Sequence, residues 1–196
     1  MINIILLTHE RELSRPTNTG QLVHHHYPHS RVIAWDRVNP DKSLLALIDT
    51  MQVGLLYPEA EMIGLQGDVT KDKQQATKNI TPEMIQETDE AQKLTQPLTQ
   101  PLRQPLTNPP LTHFVIIDAT WQEARKVYNK SPYLHALPRV NLTPNSASIY
   151  QLRRNQREGG LCTAECAAQL LEQNGQVQAA AKILAALHDM VTSAKL

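Results

Sequence analysis

The sequence predicts an α/β fold with a mostly parallel sheet and flanking helices. Continuous apolar runs such as Ile2–Leu7, Val53–Tyr57 and His113–Asp118 have the pattern of strands buried on both faces. Segments with helical spacing of apolar residues separate them, as parallel strands require. Hydrophobic residues make up 41% and aromatics only 4%, so aliphatic side chains must fill the core. A length of 196 residues allows one domain and hardly a second.

Ile2–Leu7 opens the chain as a buried strand, and Thr17 to His26 follows as a helix. Arg31–Trp35 is expected as a second strand. Asp41–Met51 is a helix with apolar Leu44, Leu45, Leu47 and Ile48. Val53–Tyr57 and His113–Asp118 are the third and fourth strands, and Thr120–Asn129 the helix after them. Short extended pieces are expected at Arg139–Leu142 and Ser148–Leu152. Thr163–Gln173 and Val177–Ser193 close the chain as helices, the last with Val177, Ala181, Leu184, Leu187 and Val191 on one face.

Residues 66–110 differ in kind. Six of the 13 prolines fall there, with the units Gln96-Pro-Leu-Thr, Gln100-Pro-Leu-Arg and Gln104-Pro-Leu-Thr. Proline every fourth residue removes backbone donors and breaks helix and ladder alike, so polyproline-like or disordered chain is expected. One short helix starting at Thr81-Pro82-Glu83 and running to about Lys93 would be compatible with it. Residues 1–65 and 111–196 then form the single domain into which this segment is inserted.

Net charge is +0, which removes any inference from bulk charge to nucleic acid or membrane. No apolar run approaches the ~20 residues of a bilayer span. The first residues lack the basic and apolar regions of a signal peptide. Two cysteines, Cys162 and Cys166, cannot build a disulfide framework and read as small buried hydrophobes. A soluble cytoplasmic protein is expected. His24, His25, His26 and His29 could suggest a metal, but consecutive histidines cannot all face one point, and no metal is expected.

The most informative segment is Phe114-Val-Ile-Ile-Asp118-Ala-Thr120-Trp121-Gln-Glu123. An apolar strand ends in a carboxylate, and Thr120-x-x-Glu123 then forms a capping box that opens a helix at once. Ligands of open α/β sheets bind outside the carboxyl ends of the strands, which is where Asp118 falls. The new helix directs its positive dipole end at the same crevice. Trp121 offers a flat wall for a base, with Arg125 one turn further on the same side. The plainer reading is that Thr120 caps, Trp121 packs and Asp118 stabilises a helix start. The chain has neither a G-x-G-x-x-G nor a P-loop, so a nucleotide-like cofactor needs another architecture.

Asp118-Ala-Thr120-Trp121 resembles the Asp-x-Thr-Trp signature of the DTW-domain family, the tRNA-uridine aminocarboxypropyltransferases. Other stretches agree in order and spacing. They are His9-Glu-Arg-Glu12 with Arg15-Pro-Thr17-Asn18-Thr19-Gly20, Leu56-Tyr57-Pro58, Leu137-Pro138-Arg139, and Tyr150-x-x-Arg153 through Glu158-Gly159-x-x-x-Thr163-x-Glu165. The cysteine cluster that some members carry before the first strand is missing. The resemblance implies transfer of the 3-amino-3-carboxypropyl group from S-adenosylmethionine to N3 of a uridine in tRNA. It also implies a SPOUT-like, knotted fold that holds the cofactor without a glycine-rich loop.

On that resemblance, cofactor contacts are expected from Leu56, Tyr57 and Pro58, Thr120 and Trp121, Leu137, Pro138 and Arg139, and Tyr150 and Leu152. Asp118 is the candidate catalytic residue, as acceptor of the uridine N3 proton or as an orienting group. Residues 111–160 carry seven Lys or Arg against three Asp or Glu, so Arg125, Arg153, Arg154 and Arg157 are candidate RNA contacts. His9, Arg15, Thr17 and Asn18 are further donors to RNA or to the cofactor carboxylate. A SPOUT-type RNA methyltransferase and a catalytically silent RNA-binding module are the competing functions.

Overall fold

The computed structural model describes residues 1–57, 110–144, 147–152 and 160–194. The expectations for the segment 66–110 fall, but for residue 110 itself, outside the described residues. Five parallel strands form one sheet: β1 (Asn3–Thr8), β2 (Ser30–Ala34), β3 (Val53–Leu56), β4 (His113–Asp118) and β5 (Arg139–Val140), in the order β2-β1-β4-β3-β5. The helices are α1 (Glu10–Leu13), α2 (Thr19–His26), α3 (Lys42–Thr50), α4 (Trp121–Asn129), α5 (Thr163–Gln173) and α6 (Val177–Ser193).

Alternation along the central strands divides the core into two layers. Ile4, Leu6, Phe114 and Ile116 face α2, α5 and α6, meeting Val23, Leu170, Leu171, Ile183 and Leu187. Ile5, Leu7, Val115 and Ile117 face the other way, onto Leu44 of α3 and Ala124 and Val127 of α4. Both faces of the sheet are therefore covered, which is why its strands read as unbroken apolar runs. The aliphatic composition is what lets the layers close with few rings.

Most elements fall within a residue or two of expectation, and the differences have local causes. The helix expected from Thr17 starts at Thr19 because the Asn18 side chain accepts from Gln21 N at 3.2 Å and caps it. A short α1 was not expected; His9 caps it, Nδ1 accepting from Arg11 N. Ser148–Leu152 does not form a strand. Its donors go to side chains, Ile149 N to the Glu165 carboxylate at 2.7 Å and Tyr150 N to Ser148 Oγ at 3.2 Å, which leaves no ladder to make. The extended piece from Arg139 ends at Val140.

α5 and α6 are joined at Gly175, whose φ of 74° is open to glycine without a Cβ penalty. Gly175 N donates to Glu172 O at 3.0 Å and Gln176 N to Leu171 O at 2.8 Å, the paired bonds of a Schellman turn. This turn sends α6 back along α5 and fixes the layer behind the site.

Among the described residues no helix is long and apolar enough to cross a membrane.

Candidate functional site

β1 and β4 are neighbours in register, with Thr8 opposite Asp118. From β1 the chain goes on to β2 on one side, and from β4 it goes on to β5 on the other. Their carboxyl ends thus mark the point where strand order diverges, the usual place for a crevice.

Here the crevice is filled. Asp118 is 1% exposed, and its carboxylate accepts from Asn18 Nδ2 at 3.0 Å, Thr8 Oγ1 at 3.2 Å and Thr163 Oγ1 at 2.8 Å. Gly20 closes it from above: a Cβ there would lie 2.4 Å from Oδ2. Asn18 also donates to Glu12 O at 2.7 Å, so one carboxylate ties β1, β4 and the starts of α2 and α5 together. Asp118 was expected on the rim facing a ligand. It lies instead behind the wall, because α2 and α5 both bring their first residues over it.

The open cavity lies one step along the sheet, outside the carboxyl ends of β4, β3 and β5, and measures about 350 Å³. Strand ends supply Leu56, Tyr57, Ile116, Ile117 and Ala119, and α4 supplies Trp121 and Ala124. The stretch after β5 gives Asn141, Leu142 and Pro144, and the start of α5 gives Leu161, Cys162, Thr163 and Cys166. The wall is mostly apolar, with Thr163 and Asn141 as polar points, the composition of a small-molecule site. Burial, with the charge of Glu165 adding to it, pushes both thiols up, that of Cys166 to about 12.

Leu56, Tyr57 and Trp121 of the expected cofactor contacts come together on this wall. The others stand behind it or apart from it. Thr120 caps α4 in the expected box, its backbone N donating to Glu123 Oε2 at 3.1 Å while Glu123 N donates to Thr120 Oγ1 at 3.3 Å. Leu137 is buried in the core, and Pro138 O accepts from Leu55 N at 2.9 Å to dock β5. The Arg139 guanidinium lies over the rings of Tyr128 and Tyr57, 4.5 and 5.5 Å from their centroids, and donates to Tyr128 Oη. It therefore backs Tyr57 without reaching the cavity. Tyr150 is buried with its hydroxyl donating to Thr17 O at 2.9 Å, and Leu152 packs on the core. Pro58 lies outside the described residues.

The expected RNA contacts divide in the same way. Asn18 and His9 are buried at 1% and 5% exposure, so neither offers a surface donor. The His9 ring stacks on Trp35 with centroids 5.6 Å apart. Arg15 pairs with buried Glu12 at 2.5 Å, and half-buried Thr17 spends its carbonyl on Tyr150. Arg125 is exposed on α4, beside exposed Lys126. Arg153, Arg154 and Arg157 lie outside the described residues. Among the described residues no three His, Cys, Asp or Glu side chains gather as a metal site needs.

The start of α5 is what the sequence reading missed. Leu161, Cys162 and Cys166 are ordinary apolar residues in a sequence, and only the packing of α5 beside β4 turns them toward a cavity. The Thr163-x-Glu165 spacing was the available signal.

The model of the DTW domain matches residues 1–195, and the chain belongs to that family. Over 57 residues the chain is 46% identical to tRNA-uridine aminocarboxypropyltransferase 2 of Drosophila melanogaster. That match spans 29% of this chain and 23% of the fly protein. No solved structure matches the chain.

Proposed function

We propose that the protein transfers the 3-amino-3-carboxypropyl group of S-adenosylmethionine to N3 of a uridine in tRNA. The observation that carries this reading is the cavity at the sheet's carboxyl edge, walled by Trp121 of the family's Asp-x-Thr-Trp segment. The likeness to the fly aminocarboxypropyltransferase supports the same reaction class. The SPOUT-like, knotted arrangement, the single domain interrupted at residues 66–110, and a cytoplasmic location belong to this reading too.

The residues present fit the cofactor. A volume of about 350 Å³ is in the range of small-molecule sites, and the apolar wall suits a purine against Trp121. Tyr57 and Leu56 would extend the apolar wall, and Asn141 and Thr163 would supply polar contacts. When bound, S-adenosylmethionine contributes a sulfonium that activates the transferred carbon toward a nucleophile.

The chain's own part is positioning. No carboxylate, imidazole, ammonium or guanidinium stands on the cavity wall among the described residues. The apolar lining would hold the reacting groups in line, which contributes through proximity rather than through a strong base. Asp118 acts from behind, holding Thr163 at the start of α5 and Asn18, the cap of α2, in place. Arg125 and Lys126, exposed on α4, would meet phosphate oxygens of the RNA.

Incubating the protein with unmodified tRNA and S-adenosylmethionine tests the reading. A uridine heavier by one aminocarboxypropyl group, with 5′-methylthioadenosine released in equal amount, is the expected result. A methylated nucleoside with S-adenosylhomocysteine would overturn it in favour of a methyltransferase.

A further inference from the structure

The wall contributed by α5 has a chemistry that positioning alone does not use. Thr163 lines the cavity, and its hydroxyl donates to Asp118 Oδ1 at 2.8 Å. A hydroxyl has one proton and two lone pairs, and an ionised carboxylate only accepts. With that proton committed to Asp118, the Thr163 hydroxyl has only lone pairs left to offer a ligand.

The surrounding field has the same sign. The other described side chains on the Asp118 carboxylate are Thr8 and Asn18, both neutral donors. A helix start ordinarily favours an anion. At α5 that preference is already met by Glu165, which accepts from Cys162 N, Ser148 Oγ and Ile149 N, each at 2.7 Å. The Glu165 charge also raises the thiols of Cys162 and Cys166, both on the cavity wall, so its influence reaches the space a ligand would fill. Two buried carboxylates therefore stand behind this part of the wall, while the Arg139 guanidinium lies behind Tyr57.

We propose that Thr163, backed by Asp118, is a cation subsite of the cavity that selects ligands carrying a positive charge close to the sugar-bearing sulfur. This rests on the S-adenosylmethionine reading and adds to it the residue that distinguishes substrate from spent product. Two groups of that molecule have the required chemistry. An α-ammonium would donate a hydrogen bond to Thr163 Oγ1, and a sulfonium would be attracted by the lone pairs and the carboxylate behind them.

Calorimetric titration with three probes separates the sources: S-adenosylmethionine carries both cations, S-adenosylhomocysteine only the ammonium, and 5′-methylthioadenosine neither. Thr163→Val, which keeps the shape and loses the acceptor, should weaken S-adenosylmethionine binding by roughly ten- to a hundredfold, the range for a hydrogen bond to a charged group. Binding of 5′-methylthioadenosine should be unchanged, and Thr163→Ser should restore the preference. Asp118→Asn, which removes the backing charge at constant size, should narrow the same preference. Loss on S-adenosylhomocysteine as well assigns the subsite to the ammonium; its sparing assigns it to the sulfonium. Equal weakening of all three probes in Thr163→Val, or no weakening of any, would overturn the subsite while leaving the transferase reading intact. A wild-type protein that binds none of the three would overturn both.

Discussion

A Cβ placed on Gly20 would stand 2.4 Å from Oδ2 and 2.6 Å from Cγ of Asp118. The second residue of α2 and the last residue of β4 thus share one space, and only glycine at the first leaves room for a carboxylate at the second. Helix position and strand end, more than ninety residues apart in sequence, are chosen for each other.

Gly20→Ala should therefore destabilise, although alanine is better than glycine in a helix by roughly 1 kcal/mol. Overpacking a closed site costs about 1–3 kcal/mol, and the displaced carboxylate loses buried donors as well. Placing Gly20→Ala in an Asp118→Ala background removes the clash and should reverse the sign. Chemical denaturation of the four proteins of this cycle measures the coupling. Additive effects would show that the two residues do not compete.

Glu123 links the same turn to pH. Burial pushes its carboxyl up, but the Thr120 hydroxyl and backbone N–H, with His9 and Arg15 nearby, together hold it below the usual glutamate range. A lowered carboxyl stabilises the fold above its unfolded-state value, and that contribution is lost as pH falls through its folded-state value. Between about pH 5 and about pH 3 the wild-type protein should lose more stability than Glu123→Gln, measured by thermal melting. Parallel pH profiles would contradict the capping box as the source. At neutral pH the same substitution should cost less than the ~1 kcal/mol of a lost cap, because glutamine keeps an oxygen for the Thr120 N–H and Thr120 Oγ1 still caps the helix.

Cys162 and Cys166 should be slow toward iodoacetamide at mildly alkaline pH, because burial first and Glu165 second keep both thiols protonated. Mass spectrometry of the timed reaction measures this, and denaturant should bring both to the rate of a free thiol. Rapid labelling of partly buried Cys166 in the folded protein would show that its thiol is not held in the protonated form.

Much of this architecture was legible because it is written locally. The run Phe114–Ile117 needs no partner to read as a buried strand, and Thr120-x-x-Glu123 announces its helix by spacing alone. Thr163–Gln173 and Val177–Ser193 have the bounds expected, since apolar periodicity and the Asn174-Gly175 stop are both sequence features. What escaped was tertiary. A strand pattern says that Asp118 ends β4, not that Asn18, Gly20 and Thr163 will close over it. Nor does it say that Ser148–Leu152 will give its donors to Glu165 instead of a neighbouring strand. His9 and Asn18 look like free polar groups in a loop, and become interior caps only once α1 and α2 turn back onto β4.

The claim on which the rest depends is that the space beside Trp121 receives S-adenosylmethionine. The chain has two tryptophans, so Trp35→Phe leaves Trp121 as the only indole, and Trp35 lies on the His9 side, outside the cavity wall. Titrating that variant with S-adenosylmethionine should change the Trp121 emission saturably, with the same midpoint that calorimetry gives for wild type. Calorimetric binding with no change in that emission would put the cofactor elsewhere and contradict the account.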